Sequence, residues 1–214
     1  MNERTGAGPT TSALEDAARA GNYALLAQLF YSPPSRELLA AIAGSETDAR
    51  LDKSGALAGA WRNLVVAAGA ADARALASEY DIVFVGTGKA EITLYASHYL
   101  GQARPEPLLV ELRRELAALG LARRSVANEP EDHLAALCDV MRHLTLRNDA
   151  ADTKTAAAAA SQQQQKRFFT EYISPWYAEF CIVVTAAAST NFYKHVAAYM
   201  RAFFDIEVEA FELI

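Results

Sequence analysis

The sequence predicts an all-α protein, built as a single-domain bundle of helices. Of its 214 residues, 52% are hydrophobic and 21% are charged, a balance typical of a chain that folds around a core. Alanine, the strongest intrinsic helix former, is abundant throughout. Apolar residues recur three and four positions apart, and no alternating strand pattern bounded by hairpin turns is present. These observations together favour helices along the whole chain.

One domain accounts for nearly all of the sequence. Residues 1–11 are polar, contain Gly and Pro, and are predicted to form a disordered tail before a helical domain over residues 12–214. The polar residues 147–155 are predicted to form an exposed loop and a possible hinge, so a monomer and a helix-swapped dimer both remain open. Neither a leader peptide nor a membrane-spanning stretch is recognisable, which predicts a cytoplasmic location.

Helix-start and helix-stop residues mark the first two helices. Ser12 and Glu15 form an S-x-x-E capping box, in which each side chain satisfies a backbone donor, so the first helix is predicted to begin at Ser12. Pro33 and Pro34 end it, because proline has no backbone N–H to donate. A short helix is predicted over residues 35–42, followed by a polar loop.

The remaining helices are predicted from apolar periodicity and from proline and glycine positions. Gly86 ends one helical run, and Gly120 ends the helix that Pro105 and Pro107 open. Pro130 is predicted to start the next helix, and the Ala-rich and Gln-rich residues 156–165 are predicted to be helical rather than a linker. The last helix has a strongly amphipathic pattern, which its apolar residues define: Phe192, Val196, Tyr199, Met200 and Phe203.

Charge and cysteine content exclude several classes of function. A net charge of −6 disfavours nucleic acid as a partner, because phosphate binding needs a concentrated basic surface. The acidity is either that of an ordinary cytosolic protein or that of a surface suited to a basic peptide. Cys138 and Cys181 lie in apolar stretches and are predicted to be buried free thiols rather than metal ligands.

No motif in the chain specifies a catalytic site. The segment GTGK at residues 86–89 lacks the pattern of a phosphate-binding loop, since Val83 stands where Gly is needed and Ala90 where Ser or Thr is needed. The histidines have no metal-ligand spacing, and neither a nucleophile elbow nor a Cys/His arrangement is present. The sequence therefore predicts neither an enzyme nor a bound cofactor or metal.

Several stretches carry recognisable motifs. Residues 79–86 read EYDIVFVG, an aromatic-x-x-Val-Phe-x-Gly turn in which Val83 stands where Leu is usual, and residues 94–100 read LYASHYL. Residues 129–133 read EPEDH, an E-P-x-D-H signature, and residues 169–203 contain matching Pro-Trp and Phe-Tyr pairs. In this order and spacing, the stretches resemble the TorD/DmsD/NarJ family of redox-enzyme maturation chaperones.

The resemblance implies a helical chaperone of the TorD/DmsD type with no activity of its own. Such a protein binds the twin-arginine type leader and the apo form of a molybdopterin oxidoreductase, and assists cofactor insertion before export or assembly. A leader with two arginines and an apolar stretch calls for carboxylates beside a hydrophobic groove. The implied peptide-binding residues are Glu129, Pro130, Asp132, His133, Tyr80, Phe84, Tyr95, Ser97 and Tyr99.

Different roles are expected within this set. Glu129 and Asp132 are expected to meet the basic part of the leader, and His133 to hydrogen-bond its backbone or to tune the site near neutral pH. The aromatic residues are expected to form an apolar wall, with an ordinary place in the core as the alternative for each of them. Two other functions stay open: a weak nucleotide-binding or hydrolysing protein, and a helical regulator that binds a small ligand.

Overall fold

The computed structural model of the protein describes residues 11–45, 55–86, 88–101, 106–122, 129–148 and 156–214. Within these ranges α-helices dominate and no β-strand is present, which confirms the all-α class. A single π-helical turn, Asp81–Val85, continues α4. The α-helices of these ranges are α1 (Thr11–Tyr31), α2 (Arg36–Ala43), α3 (Ala56–Ala70), α4 (Ala73–Tyr80), α5 (Ala96–Leu100), α6 (Leu108–Ala118), α7 (Leu134–Asn148), α8 (Ala156–Tyr172), α9 (Tyr177–Ala186) and α10 (Tyr193–Glu212).

Most helix boundaries follow the predicted stop and start residues. Helix α1 ends at Tyr31, just before the two prolines, and Ser35 caps α2 by accepting a hydrogen bond from the Leu38 N–H at 3.2 Å. Helix α6 ends at Ala118, and the predicted stop residue Gly120 follows two positions later with a φ of 72°, in the left-handed region. The Ser12 side chain lies outside the described residues, as do residues 149–155 of the predicted hinge, so both features stay predictions.

The core forms around α1 and α10. Helix α1 packs against α7 and α10, α10 also packs against α9 and α3, and α8 covers α7. The apolar face predicted for the last helix is buried along its whole length, from Phe192 to Phe203. Cys138 and Cys181 are both buried, as predicted, and burial raises the pKa of the Cys181 thiol to about 12. A thiol that stays protonated at neutral pH is unreactive.

An ion pair with a buried carboxylate joins α1 to α10. The Glu207 carboxylate, 1% exposed, accepts hydrogen bonds from Nε and Nη2 of Arg19, both at 2.8 Å, and from the Tyr23 hydroxyl at 2.7 Å. Burial by itself lowers the pKa of Arg19, but the hydrogen bond and the charge of Glu207 outweigh it and raise the pKa. No local sequence pattern signals this contact, because its residues lie at opposite ends of the chain.

Within the described ranges, no helix has the length and apolar character needed to cross a membrane.

The π-helical turn and the glycine after it position the first motif. The Gly86 N–H donates to the Asp81 carbonyl at 2.6 Å, which closes the wide turn. Gly86 has a φ of 67°, and a Cβ at this position would lie 2.0 Å from the Lys89 carbonyl oxygen. Glycine is therefore required here for both conformation and space. The chain then returns to the turn, since the Ile92 N–H donates to the Val83 carbonyl at 2.8 Å.

Candidate functional site

The segment Glu129–His133 forms a turn before α7, and the prediction that Pro130 starts the helix is wrong. Helix α7 begins at Leu134. The turn pairs its backbone with the segment before α5: the Ala96 N–H donates to the Asp132 carbonyl at 3.0 Å, and the Leu134 N–H donates to the Leu94 carbonyl at 2.8 Å. The backbone groups of residues 132–134 therefore bond to a distant segment, and not to a first helical turn that begins at Pro130. They also bring two of the motifs together.

Asp132 holds the two motifs in place from a buried position. Asp132 is only 1% exposed, and its Oδ2 accepts a hydrogen bond from the Ser97 N–H at 3.0 Å. Ser97 lies in the first turn of α5, where backbone N–H groups have no helical partner. The Asp132 carboxylate therefore caps α5 from a distant part of the chain. In this arrangement it faces the protein, whereas the sequence led us to expect direct contact with a leader.

His133 is also buried, and it caps α7. Its Nδ1 accepts a hydrogen bond from the Ala135 N–H at 3.2 Å, and its carbonyl accepts from the Leu137 N–H at 3.0 Å. Its ring meets the Tyr95 ring edge-on, with the centroids 5.3 Å apart. Burial lowers the pKa of His133, although the charges of Glu129 and Asp132 partly oppose this shift. The imidazole is accordingly neutral at pH 7, with its proton on Nε2.

The low pKa of His133 makes the stability of the protein depend on pH. Below about pH 6.5, where an unfolded histidine takes up a proton, the folded protein resists that proton until the lower folded pKa is reached. The free energy of unfolding should therefore fall as the pH drops from 7 through this window. The variant His133→Asn keeps a capping side chain but cannot titrate, so we expect it to lose less stability over the same window.

Urea unfolding at several pH values between 7 and 5 measures this difference. Burial, together with Lys194, also lowers the pKa of His195, so the variant should keep that part of the pH dependence. An equal pH dependence in both proteins would show that His133 is not the group that responds.

Glu129 is oriented by Tyr95. The Tyr95 hydroxyl donates a hydrogen bond to Oε2 of Glu129. Burial and this bond raise the pKa of Tyr95, so the hydroxyl stays protonated and remains a donor. Burial, followed by the charge of Glu129, raises the pKa of Tyr80 to about 12, with smaller contributions from Asp81 and Tyr31. The charge of Glu129 therefore reaches Tyr80, which links the turn at residues 129–133 electrostatically to the end of α4.

The other predicted aromatic residues lie mainly in the core. Tyr80 and Phe84 are 6% and 7% exposed, and the Tyr80 hydroxyl donates to the Phe30 carbonyl at 2.9 Å. Phe84 packs edge-on against Tyr193, with the centroids 4.9 Å apart. Tyr99 is half-buried and stacks on a tryptophan of the C-terminal half. For Tyr80 and Phe84 the structure shows the core position that the sequence left open as the alternative.

The structure adds residues that no motif singled out. Glu131, the variable position of the EPEDH segment, pairs with Arg113 of α6 through two hydrogen bonds of 3.1 and 3.0 Å. Two large side chains with apolar surface are exposed at the end of α1 and in the π-helical turn, Tyr31 at 51% and Ile82 at 58%. The E-P-x-D-H signature leaves position 131 undefined, so it could not single out Glu131. Helical periodicity likewise does not show which apolar side chains remain exposed in the folded protein.

This arrangement suits the recognition of a cation. Glu129 and Glu131 flank Pro130 and are both partly exposed, and the charge of Asp81 acts on Tyr80 as that of Glu129 does. In the part of the chain that the structure describes, no group of three or more His, Cys, Asp or Glu side chains is placed to hold a metal ion. A carboxylate that is held in place and partly exposed is a good acceptor for a guanidinium group.

Comparison with known proteins identifies the family. The chain gives no significant match among curated proteins. A family model described as the nitrate reductase delta subunit matches residues 51–182, a range that includes α3 to α8 and most of α9. That range contains the turn at 129–133 and the segment that pairs with it. Because the match covers more than half of the chain, the protein belongs to the nitrate reductase delta subunit family, a family of chaperones for molybdoenzyme maturation.

Proposed function

We propose that the protein is a cytoplasmic chaperone that binds the twin-arginine type leader of a molybdopterin oxidoreductase and holds the apo enzyme until its cofactor is inserted. The observation that carries this proposal is the partly exposed Glu129 carboxylate, which the Tyr95 hydroxyl orients by donating a hydrogen bond to it. A leader of this type offers guanidinium groups next to an apolar stretch, and an oriented carboxylate is complementary to its basic part.

Glu129 is the residue that we assign to the basic part of the leader. A carboxylate accepts about four hydrogen bonds, so the bond from Tyr95 is compatible with a forked contact to a guanidinium group. The bond also fixes the rotamer of Glu129, which reduces the entropy lost on binding. Asp132 and His133 support the site without contacting the leader, because they hold the turn and the starts of α5 and α7 in place from buried positions.

The apolar part of the leader is assigned to Tyr31 and Ile82. Both are more than half exposed, at 51% and 58%, although each follows or precedes a residue of the buried core. Tyr31 ends α1 next to Phe30, whose carbonyl accepts the Tyr80 hydrogen bond, and Ile82 lies in the π-helical turn that follows Tyr80. The charge of Glu129 acts on the same tyrosine.

Replacing Ile82 by serine should weaken leader binding about fivefold. The change removes about three apolar carbon groups and adds a hydroxyl, and each such carbon contributes about 0.8 kcal/mol when fully buried and much less when partly buried. Isothermal titration calorimetry with a synthetic leader that contains the arginine pair and the apolar stretch measures the affinity. Since Ile82 is exposed at 58% in the unbound protein, its replacement should leave the melting temperature nearly unchanged.

Val66 provides the matched control for this variant. It is a β-branched side chain exposed at 72% on α3, outside the elements that form the site. Val66→Ser should bind the leader as the wild type does. Equal affinities of Ile82→Ser, Val66→Ser and wild type would remove the apolar contact, and a wild-type protein that does not bind the leader would overturn the proposed function.

A further inference from the structure

Arg113 binds Glu131 as an arginine of a peptide would. Its Nε donates to Oε1 at 3.1 Å and its Nη2 donates to Oε2 at 3.0 Å, so both oxygens of the carboxylate are engaged by two nitrogens of one guanidinium group. This parallel fork is the geometry by which arginine side chains recognise carboxylates in interfaces. Arg113 lies on α6, and Glu131 lies in the turn that contains Glu129.

The two partners differ in how firmly they are held. The Glu131 side chain is 12% exposed, whereas the Arg113 side chain is 57% exposed. The hydrogen bond and charge of Glu131, aided by the charge of Asp132, raise the pKa of Arg113. The carboxylate is thus a fixed acceptor in the protein surface, and the guanidinium reaches it from the solvent side.

We propose that Glu131 is a second guanidinium subsite, filled in the unbound protein by the chain's own Arg113, which an arginine of the leader displaces. This inference rests on the proposed function and deepens it, because it assigns one carboxylate to each arginine of the pair. Glu129 takes one guanidinium group beside Tyr95, and Glu131 takes the other in exchange for Arg113.

The spacing of the two carboxylates fits a pair of adjacent arginines. Glu129 and Glu131 are two positions apart in the chain, which limits the separation of their Cα atoms to about 7 Å. Consecutive Cα atoms of the leader are about 3.8 Å apart, and the long arginine side chains make up the difference. The backbone of the turn is held in place by its pairing with the segment before α5.

The exchange also favours arginine over lysine at the second position. A guanidinium group restores both hydrogen bonds that Arg113 gives up, whereas an ammonium group is a point donor that cannot make the same fork. The Arg113 side of the pair is 57% exposed, so an incoming arginine can reach the carboxylate and exchange with it. A lysine recovers fewer of the hydrogen bonds that the exchange breaks, so it displaces Arg113 less well.

Titration calorimetry with a leader that carries the Arg-Arg pair tests this assignment. The variant Arg113→Gln removes the resident guanidinium group and should raise the affinity by up to about fivefold, the range that exposed ion pairs produce. Arg114→Gln is the matched control, because it removes the same charge from the adjacent residue, which pairs with Glu106 instead. It should change the affinity much less.

Further variants separate displacement from general electrostatics. Glu131→Gln should lower the affinity, and adding Arg113→Gln to it should then give no gain. A leader in which the second arginine is replaced by glutamine should gain less from Arg113→Gln than the Arg-Arg leader does. Equal effects of Arg113→Gln and Arg114→Gln on a leader that the wild type binds would overturn the subsite and leave the proposed function standing. Failure of every variant to bind would overturn both.

Discussion

Replacing Glu129 by glutamine should weaken binding of an Arg-Arg leader about 10- to 100-fold. Hydrogen bonds to a charged partner contribute about 1.5–3 kcal/mol each, and about 1.4 kcal/mol corresponds to a factor of ten in affinity. The amide keeps the size of the side chain and one acceptor oxygen, so it can still accept a hydrogen bond from Tyr95. The loss would therefore report the missing charge and not a collapsed turn.

Glu106→Gln is the control for the overall charge of the surface. Glu106 is an exposed carboxylate that pairs with Arg114, and its replacement changes the net charge by the same amount. The affinity of the wild type should also fall as salt is added, and the slope should be shallower for Glu129→Gln. If Glu106→Gln and Glu129→Gln weaken binding equally, long-range attraction alone accounts for recognition and Glu129 does not contact the peptide.

The helices could be predicted from the sequence wherever their ends depend on local signals. Ser35, the prolines after α1 and Gly120 all act on backbone groups within a few residues, so the sequence nearby contains the information. The start of α7 could not be predicted in this way. Pro130 suits a first helical turn, but the turn exchanges hydrogen bonds with Leu94 and Ala96, and a bond between distant segments outweighs local preference.

Two of the motifs from the sequence do meet in the structure, but which of their side chains are buried could not be predicted. Two motifs far apart in the chain meet in the structure, since the EPEDH turn contacts Tyr95 and Ser97 directly. Motif matching does not report burial, however. Asp132 and His133 are polar residues that cap helices from inside the protein, while Glu131, which the signature leaves undefined, is at the surface with Arg113. Exposure depends on the neighbouring elements and not on the motif itself.

The first and the last of the recognised stretches are also joined directly. Glu79 of α4 is 9% exposed, and its carboxylate accepts hydrogen bonds from three consecutive backbone N–H groups at the start of α10. The donors are Asn191 at 2.8 Å, Phe192 at 3.1 Å and Tyr193 at 2.9 Å. The helix dipole favours a negative charge at this position. The bond fixes Tyr193, which packs against Tyr80 and Phe84 beneath the candidate site.

Replacing Glu79 by alanine should lower the free energy of unfolding by about 2–4 kcal/mol. Each buried donor that loses its partner costs roughly 1–3 kcal/mol, and the loss of a helix cap costs about 1 kcal/mol, with overlap between the two because the same N–H groups are involved. Urea unfolding at pH 7 measures the change. Glu79→Gln retains one acceptor oxygen and should lie between alanine and the wild type.

Asp72→Ala provides the comparison, because Asp72 also caps a helix through two backbone N–H groups but does so in solvent. Water can replace its oxygen, so the loss of stability should be clearly smaller than for Glu79→Ala. Equal losses would mean that the buried start of α10 contributes no more than an exposed one. A larger loss for Glu79→Ala, combined with weaker leader binding at a temperature where the variant is still folded, would show that the cap supports the site through Tyr193 as well as the fold.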